Sequence, residues 1–226
     1  MSNQNTGITL FISTQCLHCA QMLENMTNAI KKGLASQLKI INLSTVTDPE
    51  LYTDIRSVPM LKIENFDFRG KLTQSELTEM LTALNENRFP SYYFSNQLTD
   101  GNINKVETII KKHPEYWITL VSLAQDIETK LQVRIGITSI FETLSTQLVK
   151  SQQCNDVINL LIKASDTKEH AIRVDLIYIL SLIFHANKSM AHKDTEKTNN
   201  ILTDYIHTLQ NDSSDEIKEI IEDVIS

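Results

Sequence analysis

The chain has 226 residues, 41% of them apolar and 22% charged, enough to bury a core in one large domain or two small ones. Its formal net charge is −7, from 21 basic and 28 acidic residues with no dense Lys/Arg block, which excludes the electrostatic footprint of nucleic-acid binding. Three cysteines are too few for a disulfide framework, the opening MSNQNTGITLF has neither the basic nor the long apolar segment of a secretory signal, and no apolar run approaches the roughly 20 residues that span a bilayer. The expectation is a cytoplasmic protein with no nucleic acid and no membrane among its partners.

Residues 8–12, ITLFI, form a short β-rich run, followed by STQ and then by apolar residues at helical spacing: Ala20, Met22, Leu23, Met26, Ile30 and Leu34. Residues 38–44 are a second strand. Asp48 and Pro49 read as the N-cap and first position of a helix over TDPELYTDI. Residues 58–63 and 65–70 look like two strands joined by a tight turn, and TQSE at 73–76 is a capping box ahead of LTEMLTAL. The order is βαβαββα, an α/β domain over residues 1–86. Residues 87–101 form a connector holding Phe89, Tyr92, Tyr93 and Phe94; flexible linkers are not built of aromatics, so these rings are expected to pack two domains together, with a peptide-binding groove at the junction as the alternative.

From residue 102 to 226 the strand signals stop and apolar residues fall three and four apart, predicting helices near 102–112, 114–125, 128–148, 153–164, 168–186, 198–210 and 214–225. Asp166 before Glu169 and Ser213 before Glu216 mark two starts, and 188–200 reads as a solvated loop. The run LIYILSLIF at 176–184 is a buried helix face. Residues 133–144 align with 172–183 at an offset of 39, pairing Val133 with Ile172, Arg134 with Arg173 and Ile140 with Ile179. A period of this size marks an array of stacked helix pairs. The arginine near the start of the second helix, after an aspartate in the turn (Asp126 or Asp166), resembles HEAT repeats, with a helical bundle as the alternative all-α architecture. Arg134 and Arg173 are expected to fix the stacking by hydrogen-bonding neighbouring turns, and Trp117 and Tyr116 to lie in the core.

The chemistry concentrates in Cys16-Leu17-His18-Cys19, at the junction of the first strand and helix. Such a pair is a redox centre, half of a metal site, or two buried thiols. A structural metal needs about four ligands and no second pair exists, so no metal is expected. At a helix N-terminus the free backbone N–H groups and the dipole favour an anion, and a thiolate is one. Cys16 would attack a disulfide and Cys19, one turn on, would resolve the mixed disulfide. His18 either stabilises the thiolate or is a solvated turn residue. Cys154 reads as a small buried residue, with a third redox thiol as the alternative. His113, His170, His185, His192 and His207 show no catalytic spacing to a carboxylate.

With these cysteines, the run Ile55-Arg56-Ser57-Val58-Pro59 ahead of MLKI, and an aromatic hairpin ending at Gly70, residues 7–84 resemble the thioredoxin superfamily. The resemblance implies that Pro59 is a cis-proline facing the cysteines, that Ser57, Val58 and Leu17 line a bound substrate chain, and that thioredoxin reductase or glutathione supplies electrons without any other cofactor. Gln15 and Leu17-His18 stand where thioredoxins proper have Trp and Gly-Pro, and Leu10 where they have a buried acid, which leaves the direction of electron flow open. The expected function is a thiol-disulfide oxidoreductase acting on protein disulfides, its partner chosen by the helical domain. The alternative is a redox-sensitive adaptor that binds a partner without turnover.

Overall fold

A computed structural model describes residues 7–189 and 196–225. Residues 1–6, and residues 190–195 within the stretch read as a loop (His192 among them), lie outside the described residues. The chain divides into two compact units, Met1–Tyr92 and Tyr93–Ser226.

In the first unit, β1 (Ile8–Ile12), β2 (Lys39–Asn42), β3 (Met60–Ile63) and β4 (Phe66–Arg69) form a mixed sheet of order β2-β1-β3-β4. β1 runs parallel to β2, with Phe11 opposite Ile41, and antiparallel to β3, with Phe11 opposite Met60. A parallel pair needs a crossover, and α1 (Cys19–Lys31) supplies it. β3 and β4 are a hairpin in which Glu64 takes φ 51°. The buried face of α1 is Cys19, Met22, Met26 and Ala29, three or four apart, as an amphipathic helix over a sheet requires. Buried Asn25 donates its side-chain amide to the Leu72 carbonyl at 3.0 Å, fixing α1 to the segment before α2 (Gln74–Asn85). The expected capping box is present: the Glu76 N–H donates to Thr73 Oγ1 at 3.2 Å, and the Thr73 N–H and hydroxyl both donate to the Glu76 carboxylate at 2.7 Å, holding that carboxyl below its usual range.

The helix expected after Asp48 is instead one 3-10 turn, Pro49–Tyr52, and Asp48 makes no side-chain cap. Its start signals are real, yet no apolar stripe follows them: Leu51 is 72% exposed, while Tyr52 turns inward, its ring 5.9 Å from that of Phe11. A helix with nothing to bury does not propagate.

The residues read as a connector also fold differently, as α3 (Phe89–Thr99), and the division between the two units falls inside it. Pro90 is tolerated in a first turn, and Phe89, Tyr93, Phe94 and Leu98 make a buried helical stripe. Within the first unit the Phe89 ring meets Phe66 at 5.3 Å; within the second, Phe94 meets Tyr116 at 5.7 Å.

The second unit continues with α4 (Ile103–Lys112), α5 (Trp117–Ala124), α6 (Leu131–Val149), α7 (Cys154–Ala164), α8 (His170–Ser189), α9 (Glu196–Leu209) and α10 (Asp215–Ile225). Helices α4, α6, α8 and α10 pack in sequence on one another, and so do α5, α7 and α9; pairs such as α5 with α6, α7 with α8 and α9 with α10 join the two rows. The last cap is one residue later than expected, on Ser214, whose Oγ accepts from the Ile217 N–H at 3.3 Å.

The two arginines of the 39-residue alignment do similar work. Arg134 on α6 pairs with Asp175 on α8 at 3.5 Å, while Arg173 on α8 forms a two-pronged bond with Asp212 in the turn before α10. Burial raises the Asp175 carboxyl against the pull of Arg134, whereas the Arg173 hydrogen bonds hold Asp212 down at about 2. A carboxyl depressed on folding contributes stability above its unfolded value near 3.8, and that contribution is lost as pH falls towards 2. Asp212→Asn is therefore expected to destabilise the second unit by about 1–2 kcal/mol at neutral pH, with the gap to wild type closing between about pH 4 and pH 2. Urea denaturation at stepped pH checks this; a gap that persists at pH 2 would show that the carboxylate charge is not the cause.

Candidate active site

Because Phe11 of β1 lies opposite Met60 of antiparallel β3, the residues after Ile12 and those before Met60 leave the sheet at one end. The parallel pairing of β1 with β2 brings the loop after Asn42 to that end too. Two bonds tie this loop to the cysteine loop: the Leu43 N–H donates to the Ile12 carbonyl at 2.8 Å, and the Thr14 N–H to Ser44 Oγ at 3.1 Å. Sequence reading missed Ser44. Its signal was the parallel strand pair, which puts both post-strand loops on one edge.

Cys16 and Cys19 are joined by a disulfide with their Cα atoms 5.4 Å apart. They are not both in the first helical turn, as expected. The helix starts at Cys19; Cys16 stands in the loop before it, its N–H donating to the Ser13 carbonyl at 3.3 Å and its carbonyl accepting from the Cys19 N–H at 3.3 Å. His18 is the N-cap but offers no side-chain cap, so nothing in the sequence marked where the helix begins. The result is an asymmetric pair. Cys19 is 4% exposed and anchored in the core; Cys16 is half-buried and is the residue an approaching sulfur meets first.

Around the pair, Leu17 is 91% exposed and Gln15 and His18 are exposed as well. At the facing end of β3 the Val58–Pro59 peptide bond is cis; Pro59 is buried, Val58 half-buried and Ser57 exposed. The Pro59 carbonyl accepts from the Gly70 N–H at 2.9 Å, and Gly70 holds φ 89°, open to glycine with no steric penalty. The structure thus brings Cys16, Leu17, His18, Cys19, Ser57, Val58 and Pro59 to one end of one sheet.

Cys154 belongs to the second unit, buried at the start of α7, and burial pushes its thiol up to about 11. At neutral pH it is protonated and shielded, which makes it a packing residue and not a nucleophile. Two histidines do meet carboxylates, His113 with Glu115 at 3.3 Å and His170 with Glu216 at 2.8 Å. Among the described residues no group of three or more His, Cys, Asp or Glu side chains is placed to hold a metal ion, and no helix is long and apolar enough to cross a membrane. No family model matches the chain, and no curated protein matches it.

Proposed function

We propose that this chain is a cytoplasmic thiol-disulfide oxidoreductase acting on protein disulfides, with a thioredoxin-like first unit for the chemistry and a HEAT-like second unit that selects the partner. The observation that carries the reading is the Cys16–Cys19 disulfide at the end of β1, with one half-buried member and one anchored in the core. The cis-proline at the same end of the sheet, and the β2-β1-β3-β4 order, support the thioredoxin-like part. The two rows of helices, with arginines pairing one repeat onward, support the HEAT-like part.

In the reducing direction, the Cys16 thiolate attacks one sulfur of a substrate disulfide and expels the other as thiolate. Cys19 then loses its proton, attacks Cys16 and releases the second substrate thiolate. The substrate gains two electrons and two protons, and the Cys16–Cys19 disulfide is left for thioredoxin reductase or glutathione to reduce. Read backwards, the same steps oxidise a substrate dithiol. Leu17, Ser57 and Val58 would contact the substrate chain, and His18 would stabilise the thiolate.

One observation favours the adaptor reading. Leu10, fully buried on β1, stands where thioredoxins carry an acid that takes the resolving thiol's proton, and without that acid resolution slows. Thiol counting across glutathione or dithiothreitol redox buffers tests the enzyme reading. An oxidoreductase gives one reversible two-electron transition between three thiols and one, since Cys154 stays free. A midpoint near about −270 mV identifies a reductant and one near about −120 mV an oxidant. No reversible transition would end the enzyme reading.

A further inference from the structure

We propose that the seam between α8 and α10 is a docking groove for a basic, amphipathic segment of a partner protein. The inference rests on the reading of the helical unit as the partner-selecting part, and adds what kind of partner it takes.

The groove begins as a cavity of about 550 Å³ between the N-terminal ends of α6 and α8 and the face of α10. A second cavity of about 220 Å³ follows, sharing Ile220 and Asp223 with the first, so the two are one continuous depression. It tracks α8 from His170 through Val174, Tyr178 and Leu182 to His185, residues three to four apart on one face. At about 1.5 Å per residue this is roughly 22 Å, about four helical turns.

Its floor is apolar and its rim is acidic. Val174, Leu182 and Ile220 are half-buried along the seam, and Leu131 at the mouth is 62% exposed. Ile135, one turn along α6 from Leu131, is 59% exposed. Two large aliphatics held in water one turn apart are a surface that burial would stabilise. On the rim, the four carboxylates Asp175, Glu216, Glu219 and Asp223 stand against Arg134 and His170, and both of these are engaged locally, Arg134 with Asp175 and His170 with Glu216. Glu219 and Asp223 put two carboxylates one turn apart on α10, an arrangement that a bound cation stabilises.

The C-terminal segment that supplies the α10 side of the groove carries most of the chain's net charge. Residues 204–225 carry seven acids against the single base Lys218, a balance of −6 out of the chain's −7. An apolar trough with an anionic rim fits an amphipathic helix with Leu-like residues on one face and Lys or Arg beside them. A metal ion is a poor occupant, since no cluster of ligands converges among the described residues. A second copy of this chain would bring its own negative charge to the same place.

The test uses the full chain and a fluorescein-labelled helical peptide of Lys and Leu at amphipathic spacing, followed by anisotropy. Glu/Leu and Lys/Ser peptides serve as controls. The Lys/Leu peptide is expected to bind and the controls to bind far more weakly. Glu219→Lys with Asp223→Lys should weaken binding by about tenfold or more, and the isosteric pair Glu219→Gln with Asp223→Asn, which preserves α10, should weaken it in the same direction. Leu131→Ser should weaken it by several-fold with no charge change. Asp204→Lys, exposed on α9 outside the groove, should change it by less than about twofold. Equal weakening by Asp204→Lys, equal binding of the Lys/Ser peptide, or self-association relieved by Leu131→Ser would each overturn the proposal. Thiol titration on the same samples keeps the two readings apart. A normal Cys16–Cys19 couple without peptide binding rejects the groove alone, and peptide binding without a couple rejects the enzyme alone.

Discussion

Cys16→Ser is expected to reduce disulfide exchange to the uncatalysed background, while Cys19→Ala accumulates a mixed disulfide between Cys16 and its substrate. The asymmetry follows from burial. Cys16 is the accessible member, so without it no sulfur of the pair can be attacked or attack from solvent. Cys19 is 4% exposed and reaches only Cys16, so its loss leaves the first step intact and blocks release. Dithiothreitol-driven reduction of insulin reads the first effect, and non-reducing electrophoresis of the Cys19→Ala protein with insulin reads the second. Cys154 cannot form the adduct, because its thiol is buried and protonated. The double variant Cys16→Ser/Cys19→Ala should therefore form none. Both single variants should fold, since a disulfide closing so short a loop contributes about 2 kcal/mol. A retained, non-covalent complex in place of the adduct would favour the adaptor.

The largest stability effect is expected at Trp117. Its ring is 1% exposed and lies 4.9 Å from that of Phe141, joining the first turn of α5 to the middle of α6. Trp117→Ala removes the largest buried side chain of the second unit from a rigid helix–helix contact that cannot collapse to fill the gap. A loss of about 3–5 kcal/mol follows, lowering the melting temperature by on the order of 10 °C. Circular dichroism at 222 nm follows the helices, and Cys16–Cys19 thiol titration below the transition gives an independent measure of the first unit. A shift of only a degree or two would mean that the indole is not the centre of that core. Loss of the thiol couple together with the helices would mean that the two units do not fold independently.

The contrast between Trp117 and Pro49 shows which parts of the fold were legible. Trp117, Ile137, Ile140, Leu144, Leu176, Ile179 and Ile183 recur at helical spacing, and burial rewards that spacing wherever another helix lies opposite, so the second half could be read almost helix by helix. Around Pro49 the terminal signals were strong but local, and with Leu51 facing solvent they sustain a single turn. The α3 stripe of Phe89, Tyr93, Phe94 and Leu98 was present in the sequence, masked by Pro90 and by the polar residues between. At the site, the cysteine spacing and Pro59 were legible, and the exact start of α1 was not, because His18 carries no capping oxygen. Pairings that rest on distant repeats, such as His170 with Glu216, depend on packing that no local pattern encodes.

The loop ahead of α1 is fastened at both ends, by β1 before it and by the buried Cys19 after it, while Thr14, Gln15, Leu17 and His18 all face outward. Residues in that position are nearly free of folding constraints and close to the two sulfurs. Under the proposed function the loop is therefore an evolvable address label: substitutions there would retarget thiol exchange to a new protein while the scaffold beneath is inherited unchanged. It is also the natural place to randomise in a library aimed at new specificity.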